Sequence, residues 1–285
     1  MTTLTHPTEP AATDTPYVSS GPGLSFAALI RSEWIKLWSV RSTVWSLSLV
    51  VVVSLGMAAV MAWATTLQLN NGAGPADLSV LPAADQAAIV LQAATFGVFF
   101  GQLIVAVLGV LVISGEYSTG MIKSTLTAVP RRLGALGAKA VVLFACTFAV
   151  GVVSTVGSFL VAAPMLAGQG LSVSLFDSAV VLPLLGASLY LGLIAVFALG
   201  IGTILRSSAG GIAAALGALL LLPIVLSMIP AQWAMDVSPY LLSNAGTALF
   251  STTATMEPWQ GLLVVLGWIV AVVGLAAVLL KKRDA

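Results

Sequence analysis

Six long apolar runs without an ionisable side chain constrain this chain more than any other feature of its sequence. A helix needs about 20 apolar residues to cross the hydrocarbon core of a bilayer, and each run reaches that length. Each run also avoids the cost of a charge in lipid, which is about 3 kcal/mol or more. The runs lie at approximately 44–67, 93–114, 140–163, 179–205, 210–229 and 261–280.

The composition of the chain also indicates that these runs are transmembrane segments. Of all residues, 59% are hydrophobic and only 7% are charged, whereas soluble domains carry roughly a quarter charged residues. A membrane barrel would need segments of about 10 residues with alternating polarity, and these runs are longer and apolar on every side. The sequence therefore predicts an all-α, polytopic membrane protein with about six transmembrane helices.

The positive charges are confined to alternate segments between the runs. All 11 lysines and arginines fall before the first run, between the second and third, between the fourth and fifth, or after the sixth. The intervening segments carry only acids. Because cytoplasmic segments are enriched in cations, this pattern predicts that both termini are cytoplasmic. The cations are Arg31, Lys36, Arg41; Lys123, Arg131, Arg132, Lys139; Arg206; and Lys281, Lys282, Arg283.

The chain is expected to have three parts. Residues 1–23 are rich in Thr, Pro, Ser and Gly, which predicts a disordered tail. The pattern of residues 24–43 predicts an amphipathic interfacial helix. Trp34 and Trp38 lie on its apolar side, and Glu33 interrupts that side. This helix either simply anchors the first span or also contacts a cytoplasmic partner. Residues 44–285 form the transmembrane domain.

Two connections are long enough to have structure of their own. In the inner loop, 115–139, apolar residues at helical spacing precede Pro130, which predicts a short helix under the membrane. The alternative is a solvated loop whose charges only set topology. The outer loop, 230–258, carries aromatic residues that favour the interface, which predicts one or two short helices there.

The sequence lacks the residue patterns of a nucleotide-binding loop and of histidine- or cysteine-based catalytic sites. Gly115 and Gly120 have the spacing of a Walker A loop, but Lys123 does not directly follow the second glycine. The single histidine, His6, lies in the tail, and the single cysteine, Cys146, lies in an apolar run. We therefore expect no catalytic residue, no metal site and no cofactor. The absence of charged residues from the spans also argues against a proton-coupled transporter. A transporter that binds sodium through backbone carbonyls is still an alternative.

A few polar residues in or beside the apolar runs are candidates for a substrate pathway. Each is alternatively an ordinary helix-packing contact. Because the walls around them are apolar, they favour a hydrophobic or amphipathic cargo. These residues are Gln92, Thr95, Gln102, Thr147, Ser154, Thr155 and Tyr190.

Several segments outside the runs carry a family resemblance. They read SEWIKL at 32–37 with SVRST at 39–43, GEYSTG at 115–120, LTAVPRR at 126–132, LRSS at 205–208, SPYL at 238–241 and SNAG at 243–246. With Ser124 and Lys139, they resemble type-two ABC exporter permeases, the membrane-spanning subunits of bacterial ABC transporters. The resemblance covers nearly everything after residue 24.

The resemblance implies a mechanism and partners. The inner loop would be a coupling helix received by a separate ATP-binding cassette ATPase subunit, beside the interfacial helix. A second permease copy or paralogue would complete a dimer in the bacterial cell membrane, and this chain itself would not be an enzyme. Alternatives are a non-transporting scaffold or immunity subunit, or a secondary transporter or channel. The implied coupling residues are Glu33, Lys36, Glu116, Tyr117, Thr119, Gly120, Lys123, Ser124, Pro130, Arg131 and Arg132.

Overall fold

The computed structural model of the chain describes residues 25–71, 78–120 and 132–282, with the side chain of Arg132 excepted. These residues form helices, and no strand occurs among them. The helices are α1 (Phe26–Ser39), α2 (Arg41–Asn70), α3 (Ala83–Thr95), α4 (Val98–Ser118), α5 (Arg132–Ala167), α6 (Ser178–Leu205), α7 (Ser208–Leu216), α8 (Leu222–Ser227), α9 (Gln232–Val237), α10 (Leu242–Thr247) and α11 (Pro258–Lys282).

Six helical segments in the described part of the chain are long and apolar enough to cross a membrane. The predicted class, an all-α polytopic membrane protein, is confirmed. The segments are Arg41–Asn70, Ala83–Ser118, Leu133–Ala167, Ser178–Leu205, Ser208–Ser227 and Pro258–Lys282.

The second and third spans are longer than the sequence predicted. The second begins at Ala83 rather than near residue 93, because α3 and α4 are joined through Phe96 and Gly97, both with helical backbone angles. The third extends from Leu133 to Ala167. Asp85 precedes the second run and Lys139 precedes the third, so the apolar pattern starts later than the helices do.

The most buried span is α6, which lies at the centre of the bundle. It runs parallel to α4, since Gly109 lies against Ala195 and Gly202 lies against Val110. It runs antiparallel to α5, whose Thr155 hydroxyl donates a hydrogen bond to the Leu184 carbonyl at 3.2 Å. The side chains at the centre are fully buried; they include Tyr190, Leu191, Ile194 and Phe197.

The fifth span is not a regular α-helix along its whole length. A π-helical segment, Gly217–Leu221, separates α7 from α8. It is among the least buried spans in the described structure, together with α11. Its outward side chains therefore face lipid or another molecule.

The connection between α8 and α11 packs onto the bundle. It contains α9, a 3-10 turn at Ser238–Tyr240 and α10. The Trp268 indole on α11 donates a hydrogen bond to the Tyr240 carbonyl at 3.0 Å, and α10 buries Leu242 and Ala245. The 3-10 turn and α10 thus cover one end of α6 and α11.

The other end is defined by α1, the end of α4, the start of α5 and the junction between α6 and α7. We call it the cation-rich end, because Lys36, Lys139 and Arg206 meet there.

Candidate functional site

Four charged side chains from three helices meet at the cation-rich end. Lys139 on α5 forms ion pairs with Glu33 on α1 and with Glu116 on α4, the latter at 2.8 Å. Lys36 on α1 lies 2.7 Å from Glu33 and 3.4 Å from Glu116. We call these four residues the ion cluster. It joins the helix before the first span to the second and third spans.

The ion cluster contains equal numbers of acids and bases, and most of it is buried. Glu33, Glu116 and Lys139 are only 5%, 6% and 5% exposed. Removing one partner from such a group leaves an uncompensated buried charge, which costs roughly 3–5 kcal/mol. The cluster is therefore stable only as a complete set.

Helix α1 positions Glu33 and Lys36 by ordinary helical geometry. The helix starts at Ser25, whose hydroxyl accepts a hydrogen bond from the Ala28 amide at 3.2 Å, as N-cap residues do. Glu33 and Lys36 are three residues apart and so share one face. That face points into the bundle.

The predicted apolar side of α1, which includes Leu37 and the two tryptophans and is interrupted by Glu33, is divided between two environments. Glu33 and Leu37 are buried, while Trp34 and Trp38 are 47% and 45% exposed. The reason is that Lys139, the buried partner of Glu33, lies on α5, which no local pattern records. The tryptophans remain free to face lipid.

The predicted inner loop, 115–139, is shorter in the structure. Helix α4 continues to Ser118 and α5 begins at Arg132, so Glu116 and Lys139 lie on helices. The predicted runs at 93–114 and 140–163 themselves contain no charged residue, but the membrane-length helices extend beyond them and include Glu116 and Lys139. Their mutual ion pair offsets the cost of burial there.

The charged forms of the two α1 residues are favoured by the cluster. Burial opposes ionisation of Glu33, but Lys139 and then Lys36 attract and hydrogen-bond the carboxylate, so its pKa is below the ordinary value. Burial likewise opposes the charge on Lys36, but the carboxylates of Glu33 and Glu116 raise its pKa above the ordinary value. Both residues are ionised at neutral pH.

A cavity of about 440 Å³ borders the ion cluster between α1, α2, α4 and α5. Apart from the cluster, its walls are mainly apolar and include Leu37, Val40 and Leu108. The Oε2 atom of Glu116 is buried and has no hydrogen-bond partner among the described residues. This carboxylate is therefore held through its Oε1 atom alone.

Two further contacts tie the end of α4 to the junction between α6 and α7. The Arg206 guanidinium lies over the Tyr117 ring, 5.2 Å from its centroid. The Ser208 hydroxyl donates a hydrogen bond to Ser114 Oγ at 2.9 Å. Four elements of the fold therefore meet around the last turn of α4.

Helix α4 ends in a local turn. Thr119 donates through its hydroxyl to the Gly115 carbonyl at 2.8 Å, and Gly120 follows with a φ of 71°. A left-handed residue just after a helix usually terminates it, and glycine adopts that conformation without strain. Gly120 is thus the residue where the chain leaves α4.

The remaining predicted coupling residues lie outside the described structure. This holds for Lys123, Ser124, Pro130 and Arg131, and for the short helix predicted between residues 122 and 129. Arg132 begins α5. The roles assigned to these residues stay predictions.

The seven polar candidates for a pathway do not form one group. Gln92, Thr95, Gln102 and Tyr190 line a second cavity near α10, at the opposite end from the ion cluster. The other three lie on α5.

The three candidates on α5 make packing contacts. Thr147 donates to the Leu143 carbonyl of its own helix at 2.7 Å. Thr155 lies 3.0 Å from the Ser188 hydroxyl on α6, and Ser154 is fully buried. Of the three, Thr155 therefore joins α5 to α6, whereas the Thr147 hydroxyl bonds within its own helix.

Sequence reasoning selected three members of the ion cluster and missed the fourth. Lys139 was counted as a cytoplasmic charge and quoted in the family resemblance, but it was not among the implied coupling residues. A usable signal existed, because Lys139 is the one charged residue between 133 and 167. A lone cation on a long apolar helix needs a partner.

No protein-family model matches the chain, and no curated protein is significantly similar to it.

Proposed function

We propose that this chain is the membrane-spanning permease subunit of an ATP-driven exporter. A separate ATPase subunit would bind the connection between α4 and α5, and two permease subunits would pair in a bacterial cell membrane. The residue patterns at 32–43 and 115–132 support this reading through their resemblance to type-two ABC permeases.

The observation that carries the proposal is the ion cluster. It joins α1 to the end of α4 and the start of α5, on both sides of the connection at 119–131. A force applied to that connection therefore reaches α1 and two spans together, since packed elements move as rigid bodies.

The ion cluster also refines the role of three predicted coupling residues. Glu33, Glu116 and, in part, Lys36 are engaged with charges inside this chain. In the proposed complex they position the elements that contact the ATPase. The direct contacts then come from the connection itself.

The orientation in the proposal follows the charge segregation. With the cation-rich end in the cytoplasm, both termini face the same compartment as ATP. The chain lacks a lysine directly after Gly120, so the nucleotide would bind the partner and not this chain.

A matched pair of glycine substitutions tests the proposal. Gly120 and Gly170 have φ values of 71° and 87°, and each amide donates to a carbonyl three residues earlier, at 3.3 Å and 3.0 Å. Proline is incompatible with both features. The two glycines lie at opposite ends of the bundle.

We expect the affinity-tagged chain, purified from its native membrane, to retain an ATPase subunit with a Walker A loop in about equal amount. Gly120→Pro should reduce the amount of ATPase retained per folded chain several-fold. Gly170→Pro should leave that ratio unchanged, even if less of the chain folds. Absence of any ATPase, or equal retention by both variants, would contradict the proposal.

A further inference from the structure

The second cavity has the features of a binding site for a small molecule. Its volume is about 420 Å³, within the range of about 300–1,000 Å³ typical of ligand pockets. It is enclosed by α3, α4, α6 and the residues around 247–253 that follow α10. The cavity lies beside the second span, at the end of the bundle opposite the ion cluster.

One wall of the cavity is a single helical face. Gln92, Thr95, Phe99 and Gln102 are separated by three, four and three residues, the spacing of one side of a helix. All four line the cavity. Polar residues at this spacing on an otherwise apolar span are costly unless they have a partner.

The hydrogen bonds of Gln102 leave one group available. Tyr190 donates its hydroxyl hydrogen to Gln102 Oε1, which fixes the orientation of the amide. The residue is only 3% exposed and lines the cavity. With Oε1 engaged by Tyr190, the Nε2 group is the part of the amide left to face a ligand there.

The remaining walls define the kind of molecule that fits. Phe96, Phe99 and Phe250 supply aromatic surface. The described residues that line the cavity include no Asp, Glu, Lys, Arg or His. A charged ligand would be desolvated there without a counter-charge, so the cavity favours an uncharged one.

We propose that this cavity binds an uncharged aromatic or amphipathic molecule whose acceptor oxygen receives hydrogen bonds from Gln102 and Gln92. That this molecule is the exported cargo rests on the proposed function. Binding of the molecule to the cavity requires only this chain and no ATPase.

Benzophenone is a suitable probe, because it is uncharged and aromatic and carries one carbonyl acceptor. On illumination its ketone oxygen takes a hydrogen atom from a nearby C–H bond, and the two carbon radicals combine, so bound probe becomes covalently attached. The purified chain in lipid nanodiscs, without any ATPase, is illuminated with benzophenone and digested, and the labelled positions are read by mass spectrometry.

We expect labelling concentrated in the fragments that contain residues 92–102 and 247–253. Gln102→Leu should lower it roughly five-fold, the change that corresponds to one neutral hydrogen bond. Because Gln102 is buried, Gln92→Leu serves as a second variant at an exposed side chain, and a several-fold loss is expected there too. Gln68→Leu, an exposed glutamine on α2, is the matched control and should label like the parent.

Labelling spread evenly over the lipid-facing spans, or unchanged in both Gln102→Leu and Gln92→Leu, would overturn the proposal. Either result is independent of ATPase association. The labelling result can therefore contradict the proposed binding site without contradicting the exporter proposal, which the retention of an ATPase tests separately.

Discussion

Glu33 shows how a single residue can take a place that its neighbours do not indicate. It stands among Trp34, Ile35 and Leu37, yet it is buried while Trp34 and Ile35 are 47% and 56% exposed. Its two lysine partners determine this, because a buried carboxylate is tolerated only where opposite charges and hydrogen bonds replace water. The ion cluster therefore sets the rotation of α1.

The pKa shifts in the ion cluster predict how stability depends on pH. The Glu33 pKa lies below its ordinary value of 4.5, so its contribution is full above that pH and is lost as the pH falls through the lowered pKa. The Lys36 pKa lies above 10.5, so its contribution is full below that pH and is lost as the pH rises further.

We therefore expect the thermal unfolding temperature of the purified chain in detergent to fall below about pH 4.5 and above about pH 10.5. Between these limits Glu33 and Lys36 should add no pH dependence. Glu33→Gln should weaken the acid transition, while Asp236→Asn, at an exposed carboxylate bonded to Gln232, should keep it. A transition near neutral pH that Glu33→Gln removes would contradict this.

At the scale of elements, close backbone approach organises the bundle. Small residues let α6 lie against α4 and α5, since Gly109 contacts Ala195 and Ala198, and Gly151 contacts Ser188. Apolar side chains gain little from leaving lipid, so close van der Waals packing is what favours helix association in a membrane. The central position of α6 follows from these contacts.

Gly109→Ala tests this packing. A Cβ atom at Gly109 would lie 2.5 Å from the Ala195 carbonyl oxygen and 2.9 Å from Ala198 Cβ, so α4 and α6 must separate. We expect a net destabilisation of about 1–3 kcal/mol, seen as a lower unfolding temperature.

The matched control is Gly267→Ala on α11, where an added Cβ atom would meet nothing within 4 Å. Alanine there should be neutral or stabilising by up to about 1 kcal/mol, because it favours the helix more than glycine does. Equal effects of the two substitutions would show that the contact between α4 and α6 does not limit stability.

At the scale of the whole molecule, charge distinguishes the two ends of the bundle. Lys36, Lys139 and Arg206 meet at one end. Asp85, Asp177 and Glu257 begin helices or lie just before them at the other end, where a carboxylate also favours the helix dipole. This asymmetry predicts a single orientation in the membrane.

Cysteine labelling measures that orientation. In a Cys146→Ser background, Thr255→Cys should react with a membrane-impermeant thiol reagent added to intact cells, because Thr255 is exposed beyond α10. Ser39→Cys, at the end of α1, should react only after the membrane is opened. The reverse pattern would place the cation-rich end outside and remove the basis for the proposed ATPase contact.

The sequence by itself determined the fold class, the number of spans and the asymmetry of charge. These depend on the length and polarity of each segment against a bilayer of constant thickness, and every residue contributes independently of its distant neighbours. The bounds of the fourth span, predicted at 179–205, agree with α6 at Ser178–Leu205 for this reason.

Only the tertiary structure decided which polar residues act together. The ion cluster unites residues 106 and 23 positions apart, as in the pairs of Lys139 with Glu33 and with Glu116. The second cavity likewise joins Gln102 to Tyr190, 88 positions apart. A helical pattern reports which face a residue occupies but not which helix that face meets, because this depends on how all the spans pack together.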